Sequence, residues 1–398
     1  MPAARVLFYS HDSYGTGHLR RILRLARQLR RCRAAVEPAL ATGSPVADRF
    51  LTPADAPYIV LPPVVKTGAT TYVARDSARG LAEVLADRTA ALMRFVEAHP
   101  PDVVVVDHAP AGLRGELLPV FDRLAARRPR PRFVLCLRDI VGDAIATRRA
   151  WAGDGIPDLL ETLYDAIVVF GQRDLFDPVE EYGLSGAVAA KTMCVGYLGT
   201  TVDFARARAR RGELGAPGRA MVVGTVGGGE DGYPVLAALL EAHRRGFERV
   251  PFTLVLIGGP LMPVSDRRRL RAASAAVRGV RFLDEVTDLP ECLAAADAVV
   301  AMAGFNTVCE LFAAARPAVV IPRTARGSDQ ANRGVVLARH RLALTMSWDE
   351  LQPAALAEAV GRLLDGTVRL APPPHLEGGD GFVAVVDSLL PGTSGGAA

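Results

Sequence analysis

The 398-residue chain is poor in several features that mark particular protein classes. Its five cysteines, Cys32, Cys136, Cys194, Cys292 and Cys309, form no Cys-x-x-Cys pair, which argues against a disulfide framework and predicts reduced core thiols. Aromatic residues make up 6% of the chain, and no basic-aromatic motif accompanies the arginines. The sequence therefore does not indicate nucleic-acid binding.

Long apolar runs are also missing. No uninterrupted apolar stretch approaches the ~20 residues that span a bilayer, so any membrane contact is expected to be peripheral. The N-terminal segment lacks the charged, apolar and small-residue succession of a signal peptide, which predicts a cytoplasmic protein. Any peripheral membrane contact would then be at the inner membrane face. The only lysines are Lys66 and Lys191, and the net charge of +4 permits anionic ligands without requiring them.

Short apolar runs alternate with Ala-rich or amphipathic stretches, a pattern that predicts α/β architecture with doubly wound parallel sheets. Half of the residues are apolar, so the chain can fill two cores. Predicted strands of the first series are Val6–Tyr9, Ala35–Ala41, Tyr58–Leu61, Val103–Val106, Phe133–Leu137, Ala166–Phe170 and Thr192–Val195. Those of the second series are Ala220–Val223, Phe252–Ile257, Val280–Leu283, Ala298–Ala301 and Ala318–Ile321.

The break between the two series predicts the domain boundaries. We expect an N-terminal domain at 1–199, a C-terminal domain at 200–375 and a final helix within 376–391. The polar, Arg-rich segment 199–218 is interpreted as a linker, and residues 392–398 as a disordered tail.

The most informative motif follows the fourth strand of the second series. Gly304 permits a tight turn, and the amides of Phe305, Asn306 and Thr307 then open a helix whose positive end favours a diphosphate. Glu310 lies four residues after Asn306 on the same helix face, where its carboxylate can accept hydrogen bonds from ribose hydroxyls.

Asp329 and Gln330 follow the next predicted strand, in a loop from which they can reach sugar hydroxyls. Each of these features alone is explained more simply by a helix cap or a solvated carboxylate. Because four of them occur in register, the sequence favours a nucleotide-sugar site.

These residues resemble the donor-binding signature of GT-B glycosyltransferases, particularly the bacterial branch that includes the lipid-linked N-acetylglucosaminyltransferase of peptidoglycan synthesis. The matching positions are Gly304-x-Asn306-Thr307-x-x-Glu310, Arg316-Pro317, Pro322, Asp329-Gln330, Gly15 to Arg21, Gly112 to Glu116, Thr225 to Gly229 and Gly258-Gly259-Pro260. The resemblance implies a GT-B fold of two Rossmann-like domains with an interdomain cleft, the first binding the acceptor and the second binding the nucleotide sugar.

The resemblance also implies roles for individual residues. Donor-binding residues would be Thr225, Gly227, Gly228, Gly229, Val286, Gly304, Phe305, Asn306, Thr307, Glu310, Asp329 and Gln330. Acceptor-binding residues would be Gly15, Thr16, Gly17, Arg114 and Asp139. One departure is Met302, which stands where plant-type members carry a phosphate-binding histidine. Phosphate binding would then rest on amides, the helix dipole and an arginine, for which Arg323, Arg326 and Arg333 are candidates.

His18 is the candidate catalytic base. It begins a helix behind a Gly-rich loop, where the positive helix end keeps the imidazole neutral and able to take a proton. Asp107 directly follows a strand and would orient that imidazole. His11 and His108 are rival bases, and a capping or surface imidazole is the simpler alternative. The arginines of the same helix, including Arg21, are interpreted as a solvated face.

The predicted activity is inverting glycosyl transfer without metal or cofactor, from a UDP- or TDP-linked sugar to a hydroxyl of a natural product, envelope precursor or lipid. The sequence contains no Asp-x-Asp metal motif in a loop context. It also lacks the paired-glutamate signature of retaining enzymes between Glu310 and Asp329. A nucleotide-sugar epimerase or hydrolase and a non-catalytic nucleotide-sugar-binding protein remain alternatives.

Overall fold

The chain divides into two compact units, each with its own parallel sheet. A computed structural model describes residues 3–11, 17–52, 56–67, 71–246, 252–323 and 328–390. The first unit comprises Met1–Gly196 with Glu377–Ala398, and the second comprises Tyr197–Leu376. The predicted disordered tail, residues 392–398, lies outside the described residues.

The first unit contains a parallel sheet in the order β3-β2-β1-β6-β7-β8-β9 and an antiparallel β4-β5 hairpin. Its strands are β1 Ala4–Ser10, β2 Val36–Thr42, β3 Tyr58–Val60, β4 Val64–Lys66, β5 Tyr72–Ala74, β6 Val103–Asp107, β7 Arg132–Arg138, β8 Ala166–Phe170 and β9 Thr192–Cys194. Its helices are α1 Gly17–Cys32, α2 Leu81–Ala98, α3 Leu118–Ala125, α4 Ala144–Gly153, α5 Ile156–Thr162, α6 Pro178–Glu181 and α7 Gly186–Ala189. The C-terminal helix, described below, also belongs to this unit.

The second unit contains a parallel sheet in the order β12-β11-β10-β13-β14-β15. Its strands are β10 Ala220–Thr225, β11 Phe252–Ile257, β12 Val280–Leu283, β13 Ala298–Met302, β14 Ala318–Ile321 and β15 Leu344–Thr345. Its helices are α8 Phe204–Leu214, α9 Tyr233–Gly246, α10 Val264–Ala275, α11 Leu289–Ala294, α12 Phe305–Ala314, α13 Ser328–Arg339 and α14 Pro353–Leu364. The predicted α/β class with doubly wound parallel sheets is thus confirmed.

The central strands form the two cores because they are apolar on both faces. Every residue of β6 and β13 is buried, as parallel strands covered by helices on both sides require. The helices contribute one apolar face each, as α1 does with Leu19, Ile22 and Leu29. Among the residues described, no helix is long and apolar enough to cross a membrane.

The predicted linker at 199–218 is wrong, because most of it forms helix α8. Asp203 caps that helix by accepting hydrogen bonds from the amides of Ala205 and Arg206, at 2.8 and 3.0 Å. Arg206 and Arg210 both pair with Asp288, at 3.0 and 2.6 Å, and this holds α8 against the start of α11. The arginine-rich composition therefore reflects a packed helix with paired cations.

The last helix, α15 Gly378–Leu389, packs on the first unit. Its Phe382 is buried beside Phe8 and Phe170, with ring centroids 6.2 and 6.4 Å apart. Gln28 on α1 donates a hydrogen bond to Asp380 at 2.7 Å. The N-terminal and C-terminal segments that form the first unit are thus joined by an aromatic core contact.

A buried ion pair lies beneath the carboxyl end of β1. Arg88 and Glu116 are both inaccessible to solvent, and the Arg88 Nη2 donates to a Glu116 carboxylate oxygen at 2.8 Å. Tyr9 donates its hydroxyl hydrogen to the same carboxylate, and burial, followed by the charge of Glu116, raises the pKa of Tyr9. Arg88 also donates to the carbonyl of Pro62 at 2.8 Å and to that of His11 at 3.3 Å. This network ties two surface loops to the core.

Removing the cation from this network should destabilise the first unit. An Arg88→Met variant leaves the Glu116 charge buried, which costs about 3–5 kcal/mol when one member of a buried ion pair is lost. Urea unfolding can be followed by the fluorescence of Trp151, which lies in the first unit, in a Trp348→Phe background.

The matched control is Arg123→Met, because Arg123 pairs with Glu97 at 3.4 Å on the surface, with both side chains more than half exposed. That change should cost less than about 1 kcal/mol. Equal effects for the two variants would show that Glu116 does not depend on Arg88 for its charge.

Candidate functional site

The carboxyl ends of β1, β2 and β6 meet at one edge of the first sheet. Ser10 pairs in register with Thr42 on one side and with Asp107 on the other. Ser10 donates a hydrogen bond to Thr42 at 3.1 Å, and all three side chains are fully buried. Ligands of open α/β sheets bind at this edge, so its polar groups are the first candidates for chemistry.

The structure brings the predicted pair His18 and Asp107 together. The His18 Nδ1 lies 2.6 Å from an oxygen of Asp107, which is 0% exposed, while the imidazole is 16% exposed. Arg21 is the third member, because its Nε and Nη2 each donate to Asp107 at 2.7 Å. Arg21 is buried one helical turn after His18, so its interpretation as a solvated residue is wrong.

The charge of Asp107 determines how the imidazole is held. Burial alone would raise the pKa of Asp107, but Arg21 and His18 outweigh it and hold the pKa well below its ordinary value. The Asp107 oxygen lies closer to the His18 Nδ1 (2.6 Å) than the Arg21 Nη2 does (3.0 Å). Because an ionised carboxylate can only accept, the proton of a neutral His18 is assigned to Nδ1. The Nε2 atom then carries the lone pair, which is the state a general base requires.

The two rival histidines lie in the same cluster. The ring of His11 is 4.6 Å and that of His108 is 5.2 Å from the ring of His18. Burial, followed by the charge of Arg138, lowers the pKa of His108 well below its ordinary value. Arg138 lies 3.1 Å from the His108 Nε2, and because arginine can only donate, that nitrogen is already occupied. His108 is therefore a poorer candidate base than His18.

The predicted acceptor-binding residues fall into three groups. Gly15 and Thr16 lie outside the described residues, whereas Gly17 begins α1. Arg114 is exposed and has a left-handed backbone (φ 52°). Asp139 is 1% exposed and accepts the amide hydrogen of Ile140 at 2.7 Å. The structure therefore places Asp139 in the turn after β7, and its acceptor role stays a prediction.

In the second unit, two glycine-containing loops follow β10 and β11 and pack on each other. A Cβ at Gly229 (φ 91°) would clash with the Gly258 carbonyl, and one at Gly259 (φ 91°) would clash with the Gly227 carbonyl. The amide of Leu261 donates to the carbonyl of Gly228 at 2.7 Å. These glycines are thus required by loop-to-loop packing, whereas a Cβ at Gly228 would meet only a leucine methyl at 3.5 Å.

The start of α12 lies beside these loops. Gly304 is its N-cap and has no side chain that could cap the helix, so the positive end of α12 begins at a glycine. A Cβ at Gly227 would lie 3.1 Å from the Thr307 hydroxyl oxygen, and one at Gly304 would lie 4.0 Å from the Gln330 Nε2. Thr225, which ends β10, is paired in register with Ala301 of β13. The predicted donor residues at these positions therefore share one sheet edge.

Other predicted donor-binding residues differ in their exposure to solvent. Glu310 is 8% exposed on α12, and Asn306 lies on the first turn of that helix. The Asp329 side chain is 24% exposed and lies 3.6 Å from the Arg333 guanidinium. Val286 is half-buried in the loop between β12 and α11.

Arg333 supports the strand end that leads into α12. It is 2% exposed, its Nη1 donates to the Ala303 carbonyl at 3.0 Å, and its guanidinium carbon lies 5.6 Å from the Phe305 ring centroid. Arg326 lies outside the described residues. Arg323 is the candidate cation with a partly exposed guanidinium, and its partner Asp231 was not predicted from the sequence.

The missed residues have weak sequence signals. Arg21 could have been found from its i, i+3 spacing to His18, which places both on one helix face. Asp231 and Arg323 are separated by 92 residues, and no local pattern joins them. Within the described part of the chain, no group of three or more His, Cys, Asp or Glu side chains is placed to hold a metal ion.

Comparison with known proteins shows a similarity in the second unit. Residues 226–378 match the glycosyltransferase family 28 C-terminal domain. The UDP-N-acetylglucosamine--N-acetylmuramyl-(pentapeptide) pyrophosphoryl-undecaprenol N-acetylglucosamine transferase of Acidiphilium cryptum is 31% identical over 192 residues, which cover 40% of this chain and 50% of that protein. The chain spans about half the length of the curated relatives it matches.

Solved structures show the fold over nearly the whole chain. The calicheamicin glycosyltransferase CalG4 has a TM-score of 0.62 at 19% identity and covers 99% of this chain and 100% of its own. MurG of Acinetobacter baumannii has a TM-score of 0.59 at 16% identity, with 97% and 99% covered. The chain therefore has the GT-B fold, and residues 226–378, which include most of its second unit, are similar to the family 28 C-terminal domain.

Proposed function

We propose that this protein is a glycosyltransferase that moves a sugar from a nucleotide diphosphate sugar to an acceptor hydroxyl. The observation that carries the proposal is the second-unit edge, where glycine-rich loops, the start of α12 at Gly304 and Gln330 meet within the family 28 match. Backbone amides at a helix start favour a diphosphate, which is the leaving group of such a donor. UDP- or TDP-linked sugars are the proposed donors.

The first unit supplies the proposed base. The partly exposed His18 accepts the proton of the acceptor hydroxyl at Nε2, while Asp107 fixes Nδ1–H and stabilises the imidazolium that forms. Arg21 donates to both Asp107 oxygens, including the one that contacts His18, and keeps the carboxylate ionised. The deprotonated acceptor oxygen then attacks the anomeric carbon, and the bond from that carbon to the diphosphate breaks.

The α12 amides are proposed to stabilise the charge on the departing diphosphate, a contribution that grows as the bond breaks. A single displacement inverts the anomeric configuration, and the sequence has no paired glutamates that would indicate retention. Because the proposed leaving-group contacts come from amides and a guanidinium, the reaction needs no metal.

Turnover should then be unchanged by EDTA, and an α-linked donor should give a β-linked product by proton NMR.

The acceptor class is proposed from the relatives. Their names include a lipid-linked envelope precursor in MurG-type transferases and a natural product in CalG4. We therefore propose an acceptor of one of these types, with peripheral contact at the inner membrane face if the acceptor is a lipid.

The role of His18 as catalytic base can be tested by substitution. A His18→Ala variant should lower kcat on the order of 100-fold or more, because proton removal from the acceptor is lost, while nucleotide affinity stays unchanged. Release of nucleotide diphosphate in the presence of acceptor candidates measures turnover, and isothermal titration measures affinity. The control is His375→Ala, an exposed histidine of the second unit, which should keep full turnover.

An unchanged kcat in His18→Ala would overturn the assignment of the base. If free sugar forms at the full rate without any acceptor, the protein is instead a hydrolase of nucleotide sugars. If nucleotides bind but neither product forms, the non-catalytic alternative is favoured.

The proposed contact of Glu310 with the ribose can be tested in the same way. A Glu310→Gln variant should weaken UDP binding about tenfold, because charge-assisted hydrogen bonds to the ribose hydroxyls are lost. It should also bind UDP and 2′-deoxy-UDP with similar affinity, whereas the unaltered protein should prefer UDP.

The control for that experiment is Glu358→Gln, an exposed carboxylate on α14 of the same unit. A thermal-shift screen with UDP, TDP, GDP, ADP and CDP in EDTA first identifies the nucleobase that the protein binds. Undiminished discrimination against the 2′-deoxy nucleotide in Glu310→Gln would show that another group reads the ribose.

A further inference from the structure

An ion pair joins two loops at the carboxyl edge of the second sheet. The Arg323 Nε lies 2.6 Å from one oxygen of Asp231, and the Arg323 Nη2 donates to the other oxygen at 2.6 Å. The two side chains are 20% and 28% exposed, so solvent and solutes can reach the pair. The pair therefore combines one hydrogen bond with a second close ionic contact, and a competing anion can replace both.

The sheet order fixes the position of this pair. Asp231 follows β10, Arg323 follows β14, and β13 lies between those two strands. The pair thus spans the carboxyl end of β13, where Gly304 leads into α12. The amide of Arg323 donates to the Gln330 Oε1 at 3.0 Å, and the Gln330 Nε2 lies 4.0 Å from the position that a Cβ would occupy at Gly304.

The residues around the start of α12 differ in whether they can offer a positive charge to a ligand. Position 302 is a methionine that is 3% exposed and cannot contribute a charge. Arg333 is 2% exposed and directed at the Ala303 carbonyl, so it supports the backbone. Of these positions, Arg323 alone joins a guanidinium to partial exposure.

We propose that Arg323 is the cation that binds the donor diphosphate, and that Asp231 holds it in the free protein and is displaced when the diphosphate binds. This inference rests on the proposed function, since it assigns a residue to the diphosphate of that donor. A diphosphate carries more negative charge than one carboxylate and offers the same paired-oxygen geometry to a guanidinium. A partly exposed ion pair contributes little to stability, so the exchange costs little.

The opposite role for the pair is a latch that merely fixes the two loops. The two roles predict opposite effects of removing the Asp231 charge. If Asp231 competes with the diphosphate, an Asp231→Asn variant frees Arg323 and tightens binding. If the pair is a latch, the same variant loosens the loops and weakens binding, as Arg323→Gln does.

The experiment is a calorimetric titration with UDP, UMP and inorganic pyrophosphate at low and high salt. Arg323→Gln should weaken UDP and pyrophosphate binding about tenfold and UMP binding less. Asp231→Asn should tighten UDP and pyrophosphate binding about two- to fivefold, with the gain reduced at high salt. Arg323→Lys should recover only part of the affinity, because an ammonium cannot bind two oxygens side by side.

The control variants are Glu241→Gln and Arg244→Gln, which break an exposed pair on α9 of the same unit and should leave all three affinities unchanged. Ligand-free melting curves establish that each variant is folded. Weaker UDP binding in Asp231→Asn, or unchanged binding in Arg323→Gln, overturns the inference while the nucleotide site stands.

The proposed function can fail separately. If no nucleotide binds but pyrophosphate binds with the expected dependence on Arg323 and Asp231, the anion site stands and the transferase proposal falls. If folded protein binds neither nucleotides nor pyrophosphate, both are overturned.

Discussion

Parallel pairing is the constraint on which the candidate sites depend. Because neighbouring strands run in the same direction, the residues that follow them emerge together, however far apart they lie in the sequence. In the first unit, Asp107 at the end of β6 lies beside Ser10 at the end of β1, and β1 leads to the helix that carries His18. In the second unit it brings the loops after β10, β13 and β14 to one edge. Each unit thereby collects its polar groups without a motif that is continuous in sequence.

Arginine side chains offset the charge of the buried carboxylates near these sheet edges. Asp107 and Glu116 are buried carboxylates in the first unit, and each is held by a guanidinium with paired hydrogen bonds. Removal of a carboxylate from water is costly unless its hydrogen bonds are replaced, and the planar fork of arginine replaces two of them at once. The preference for arginine over lysine thus agrees with a structure in which cations pair with carboxylates in the core as well as at the surface.

The amount that the sequence predicted varies with the range of the interactions. The parallel sheets were predictable because their apolar strands leave a local pattern, and the position of His18 behind the first strand was predictable for the same reason. Arg21 was misinterpreted because a buried arginine and a solvated one look alike in an arginine-rich helix. Helix α8 was mistaken for a linker because its polar residues are paired with α11, and such pairing across the fold leaves no local trace. The contact of Asp231 with Arg323 is likewise purely tertiary.

The packing of the loops after β10 and β11 has a consequence for redesign of the protein. Gly229 and Gly259 face carbonyl groups of the opposite loop, so a library that varies them would mostly yield distorted backbones. Gly228 is exposed, and its nearest neighbour is a movable leucine side chain. An engineer who wishes to add a side chain to this glycine-rich segment therefore has one permissive position, flanked by a residue that cannot be varied.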